Sequence, residues 1–153
     1  MSWKKKIFYL LAPLVCGMIS GLLTRDSQMI YETAAKPPFA PPGWVFPVVW
    51  TVLYLLMGIS ACRVAAGNGE KKEEALKIFW IQLLVNVIWP WLFFVQGWYA
   101  VSFFWLILLI LLVVRMRKLF QTVDPLAAKL QVPYQIWLLF AAYLNFAYYL
   151  MMG

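Results

Sequence analysis

Residues 78 to 114 read IFWIQLLVNVIWPWLFFVQGWYAVSFFWLILLILLVV, 37 positions without one charged side chain. An α-helix rises 1.5 Å per residue, so a bilayer core of about 30 Å takes roughly 20 residues. The run is too long for one crossing and right for two. A break is expected at Gln96-Gly97-Trp98, where a polar residue and a glycine stand beside an interfacial aromatic.

Working outward, charge punctuates the rest of the chain in the same way. After Lys4, Lys5 and Lys6 no charge appears from Ile7 to Thr24. The stretch from Pro37 to Cys62 is also uncharged, but four prolines between Pro37 and Pro42 exclude helix interior there, so the second helix is placed from Gly43. A last uncharged run covers Leu130 to Gly153. The expectation is an all-α integral membrane protein, one bundle of five transmembrane helices with spans near 7–24, 43–62, 78–95, 98–114 and 131–151. Composition agrees: 65% hydrophobic and 12% charged residues exclude a soluble domain of 153 residues, which could not bury so much apolar surface in one core. A cleaved signal peptide is not expected, since Ile7 to Leu23 is long for a signal core and no small-residue cleavage pattern follows.

Five spans put the chain ends on opposite sides and sort the basic residues sharply. Lys4, Lys5, Lys6, Arg63, Lys71, Lys72, Lys77, Arg115, Arg117, Lys118 and Lys129 fall on one side; Arg25 and Lys36 fall on the other. By the positive-inside rule the N-terminus is expected in the cytoplasm and the C-terminus outside. The net charge of +7 is then a topology device, and nucleic acid is not an expected partner; the lipid bilayer is.

Histidine is absent and there are two cysteines, Cys16 and Cys62, both in apolar runs. Imidazole metal sites and His-based acid–base chemistry are excluded, and no metal site or cofactor is expected. No predicted span carries a charge, which argues against proton relays and carboxylate-coupled carriers but not against facilitated passage of an uncharged solute. Aromatics fill the interior instead: nine Trp, eight Tyr and eleven Phe. On helical spacing Gln82, Asn86, Trp89 and Phe93 form one stripe; Tyr134, Trp137, Ala141, Asn145 and Tyr148 form another; Trp50, Tyr54, Met57 and Ala61 a third. Amides buried in lipid need partners, so Asn86 and Asn145 read either as interhelical hydrogen-bonding groups or as polar points of a pocket. Three aromatic stripes together have the character of a small-molecule site. Gly17 and Gly21 form G-x-x-x-G, read as close packing inside the bundle or as a homodimer face. The loop at 25–42, with Lys36-Pro37-Pro38-Phe39-Ala40-Pro41-Pro42-Gly43-Trp44 at its end, reads as a stiff connector or as a lid over the bundle mouth.

Three blocks of residues resemble the translocator protein family, also called TspO/MBR or tryptophan-rich sensory proteins. They are Lys36-Pro37 with Pro41-Pro42, Phe46, Val49-Trp50, Leu53-Tyr54 and Met57-Gly58; then Gln82-Leu83, Asn86, Trp89 and Phe93-Phe94; then Pro133-Tyr134, Trp137, Phe140-Ala141 and Leu144-Asn145. Two positions depart from the family pattern. Phe39 stands where the family usually has Trp, and Pro90 follows Trp89 where a small polar residue is common. No basic residue follows Tyr148 and Tyr149, so the cholesterol pattern of some eukaryotic members is missing. The resemblance implies a bacterial-membrane receptor or sensor that binds porphyrins and hydrophobic drug-like ligands in a pocket beneath the first loop. On the matching positions, Trp50 and Trp137 would face the ligand, Asn86 and Trp89 would line one wall, Tyr54 and Ala141 the remaining sides, and Phe39 and Trp44 the lid. It also implies, for some bacterial members, degradation of protoporphyrin in light, in which Trp50 and Trp137 would be redox partners. Passive transport of tetrapyrroles or other lipophilic solutes is the third reading.

Overall fold

The structure is a computed structural model that describes residues 1–28 and 36–152. Among the described residues these α-helices run in chain order: α1 Trp3–Leu23, α2 Val45–Ala66, α3 Lys72–Pro90, α4 Tyr99–Val123, α5 Pro125–Leu130 and α6 Val132–Met152. A π-helical turn, Trp91–Val95, continues α3. Among the described residues, five segments are long and apolar enough to cross a bilayer: α1, α2, α3 with its π turn, α4, and α5 joined to α6. No strand occurs among the described residues. The chain is an integral membrane protein built as a five-span helical bundle.

Local sequence explains where the helices begin and break. The Ser2 hydroxyl caps α1 by accepting from the Lys5 N–H at 3.3 Å. Glu73 and Glu74 occupy the first turn of α3, where the helix dipole favours negative charge. Near the far end of α3, Pro90 lacks an N–H to continue the regular ladder. The backbone widens there, and the Gln96 N–H bonds the Trp91 carbonyl five residues back at 3.0 Å. Gly97 then adopts φ +63, a left-handed conformation that glycine takes without strain, and the chain reverses into α4. The helical segment before α6 begins earlier than the expected span at 131. The Asp124 side chain accepts from the N–H groups of Leu126 and Ala127, and Pro125 fills the first helical position, so an extra turn forms before Gln131.

Helix packing uses small residues and aromatics. A Cβ on Gly58 would lie 2.5 Å from the Leu10 carbonyl oxygen, and one on Gly17 would lie 2.2 Å from the Tyr54 ring. Both glycines therefore let α1 and α2 approach closely within the monomer. The ends are ordered by charge. Arg63 pairs with Asp124, and Arg115 with Glu74, each at 2.9 Å, while Phe8 and Tyr9 meet Trp80 at ring separations of 5.5 and 5.7 Å. These contacts bring the start of α1, the α2–α3 turn and the α4–α5 turn to one end of the bundle. That end holds eleven basic and four acidic residues, which accounts for the whole net charge of +7.

Candidate ligand site

At the opposite half of the bundle, past the Gly17 contact, α1 and α2 separate and leave a cavity of about 310 Å³. Its α1 wall is Leu14, Gly17, Met18, Ser20, Gly21 and Leu22, with Gln28 beyond. The α2 wall is Phe46, Pro47, Trp50, Thr51 and Tyr54, and Pro90 and Phe94 close it from the α3 break. The size and apolar, aromatic lining are those of a small-molecule pocket. Met18, Leu22, Pro47 and Thr51 are exposed, so the cavity opens sideways between α1 and α2 at membrane depth.

The walls are held by specific contacts. Gly17 sits against the Tyr54 ring at the floor. The Ser20 hydroxyl donates to the Val87 carbonyl at 2.9 Å, tying α1 to α3 across the cavity edge. Trp50 stacks on Tyr54 with ring centroids 5.6 Å apart and planes 28° apart. Behind Trp50, Trp137 of α6 meets it edge-on at 6.3 Å and touches Phe46 at 5.9 Å. The Trp137 Nε1 is buried with no hydrogen-bond partner among the described residues. Among the described residues, none that lines the cavity is charged.

The residues singled out from sequence thus divide. Trp50 and Tyr54 form the α2 wall, and Trp137 backs it. Asn86 is 1% exposed and sits in a polar chain: Tyr54 OH donates to Asn86 Oδ1, Asn86 Nδ2 donates to Tyr134 OH at 2.8 Å, and Tyr134 OH donates to Gln82 Oε1 at 2.8 Å. Trp89 donates from Nε1 to Asn145 Oδ1 at 3.0 Å, and Asn145 Nδ2 donates to the Tyr99 carbonyl at 2.7 Å. Asn86, Trp89 and Asn145 therefore join α2, α3, α4 and α6 rather than line this cavity. Ala141 is buried within the bundle and does not line it either. Of the first loop, residues 29–35 lie outside the described residues. Phe39, at φ 66, is 87% exposed and Trp44 is exposed; neither borders the cavity. Tyr143 OH donates to the Pro38 carbonyl at 2.6 Å, which fixes that end of the loop to α6.

Sequence reasoning missed the α1 wall. The signal was present as small residues at Gly17, Ser20 and Gly21 on neighbouring turns, but small residues mark close packing as readily as open space. Thr51 and Pro47, one turn apart on α2, were also missed; the Thr51 hydroxyl is turned back to the Pro47 carbonyl at 2.6 Å, so it offers no donor to a ligand.

The family model for the TspO/MBR family matches residues 9–150. The chain is 39% identical over 137 residues to the tryptophan-rich protein TspO of Chlorobaculum tepidum, covering 87% of this chain and 86% of that protein. It is 35% identical to the tryptophan-rich sensory protein of Cereibacter sphaeroides, over 95% of this chain and 90% of that one. Human translocator protein is 33% identical over 151 residues, covering 94% of this chain and 88% of its own. With five membrane-spanning segments and a match over nearly its whole length, this chain belongs to the TspO/MBR family.

Proposed function

We propose that this protein is a membrane receptor or sensor that binds porphyrins and other hydrophobic, drug-like ligands in the cavity between α1 and α2. The observation that carries the reading is the stacked Trp50–Tyr54 pair on one wall of an apolar cavity with a lateral opening. Aromatic faces suit a flat, mostly apolar disc, and each buried aromatic contact adds about 0.5–1.5 kcal/mol beyond area. A cavity of about 310 Å³ takes a small drug-like ligand whole. A tetrapyrrole would project through the opening between Met18 and Thr51, with its propionates towards the end of the bundle that carries Arg25 and Lys36. The basic end faces the cytoplasm in this reading, which puts that ligand end outside. The names of the relatives, sensory protein and translocator protein, agree with a receptor role without fixing the ligand.

The test is quenching of tryptophan fluorescence in detergent-purified protein during titration with protoporphyrin. Saturable quenching in the micromolar range or tighter, weakened in Trp50→Ala and Trp137→Phe and retained in Trp3→Phe, is expected. Quenching that rises linearly, or that all three variants share equally, would mean partition into detergent and would end the reading.

One arrangement favours a second activity of the same site. Trp50 meets Tyr54, Trp137 and Tyr134 at 5.6, 6.3 and 6.5 Å, a contiguous set of oxidisable rings beside the cavity. Light- and oxygen-dependent degradation of a bound porphyrin is the chemistry such a set would serve.

A further inference from the structure

Gly17 and Gly21 are one helical turn apart in α1, and the structure gives them opposite surroundings. A Cβ at Gly17 would strike the Tyr54 ring at 2.2 Å, whereas a Cβ at Gly21 would meet nothing within 4 Å among the described residues. Both line the cavity. The first is therefore required for helix contact, and the second is not required by packing against any of the described residues.

The space beside Gly21 is also bounded by restrained walls. α1 is held against α2 at Gly17 and Gly58, and against α3 by the Ser20–Val87 hydrogen bond of 2.9 Å one residue before Gly21. The Thr24 hydroxyl donates back to the Ser20 carbonyl at 2.9 Å and accepts from Gln28 Nε2 at 2.8 Å, which stiffens the turn that follows. A side chain added at 21 would not be accommodated by movement of the helix; it would take volume from the cavity.

We infer that Gly21 is the size-determining residue of the α1–α2 cavity, keeping it deep enough for bulky planar ligands that an alanine or leucine at the same position would exclude. The inference rests on the cavity being the ligand site. It makes the α1 glycine pair two devices rather than one motif: Gly17 sets how closely the helices meet, and Gly21 sets what fits above that contact. In a hydrophobic pocket one methylene changes discrimination by about 10- to 200-fold, so a Cβ here is enough to read.

The experiment titrates wild type, Gly21→Ala, Gly21→Leu and Gly17→Ala with two quenchers, protoporphyrin as the large probe and 1-bromonaphthalene as the small one. Each variant is also melted by circular dichroism. Replacing a helical glycine by alanine favours the helix, so Gly21→Ala should melt at or above the wild-type temperature, and Gly17→Ala below it. Gly21→Ala should keep 1-bromonaphthalene affinity within about twofold and weaken protoporphyrin by about tenfold or more, with Gly21→Leu weaker still for the large probe. If wild type binds both probes saturably and the Gly21 variants bind both unchanged, or lose both in equal measure, Gly21 does not set size and the inference fails while the ligand site stands. If wild type binds neither probe saturably, it is the ligand site itself that fails. A melting loss in Gly21→Ala as large as that in Gly17→Ala would also overturn the inference, because it would show that position 21 is packed.

Discussion

Replacing Asn86 by leucine tests whether this residue joins the helices. Leucine is similar in size, so the substitution removes polarity and leaves no large void. In the structure the Tyr54 hydroxyl donates to Asn86 Oδ1, and Tyr134 accepts from Asn86 while itself donating to Gln82. After the change Tyr54 keeps a buried O–H with no acceptor, which costs about 1–3 kcal/mol. Tyr134 keeps its bond to Gln82 and loses only the accepted one, about 0.6 kcal/mol by the average for interhelical bonds in membranes. The expected total is about 2–4 kcal/mol. Tyr54→Phe removes the stranded donor, so the pair Tyr54→Phe/Asn86→Leu should be more stable than the two single costs added together, by about 1 kcal/mol or more. The assay is unfolding in mixed micelles by SDS titration, followed by circular dichroism, on wild type, both singles and the double. Additivity within about 0.3–0.5 kcal/mol would refute the hydrogen-bonded chain as a source of stability.

Other outcomes follow from the same contacts. Gly58→Ala should lower the melting temperature through overpacking of about 1–3 kcal/mol, because its Cβ would meet the Leu10 backbone carbonyl at 2.5 Å and backbone cannot rotate away; an unchanged melting curve would contradict the close α1–α2 approach. Asp124→Ala should cost about 0.5–2 kcal/mol as a lost helix cap, since its carboxylate accepts from two N–H groups of α5 and also pairs with Arg63; Asp124→Asn should recover most of it in the same SDS titration, and failure to do so would assign the loss to the ion pair. Under illumination in air, bound protoporphyrin should lose its absorbance faster with wild-type protein than with Trp50→Phe. Equal loss without protein would remove the photochemical reading.

The five spans were readable because charge is excluded from lipid, so Lys4–Lys6, Arg25, Arg63–Lys77 and Arg115–Lys129 mark the borders without any knowledge of packing. The helical stripes were readable for the same kind of reason: Gln82, Asn86, Trp89 and Phe93 all prove buried, as their spacing requires. Spacing gives the face of a helix but not which neighbour that face meets. Asn86 and Trp50 both point inward, yet one ends in a hydrogen-bonded chain and the other beside open space, and only the mutual placement of α1, α2 and α3 decides it. The two α1 glycines show the same limit within a single motif, since the difference between them is the Tyr54 ring. The extra helix α5 was legible and overlooked: Asp124-Pro125 is a cap followed by a first-turn proline, hidden in a stretch read for charge alone.

The central claim is the location of the ligand, and diffraction measures it directly. Crystals of the protein soaked with 1-bromonaphthalene, measured at the bromine edge, should give an anomalous peak between Gly21 of α1 and Trp50 of α2, beside Pro90. A single peak on the lipid-facing surface of α3 or α4, with none between α1 and α2, would contradict the account.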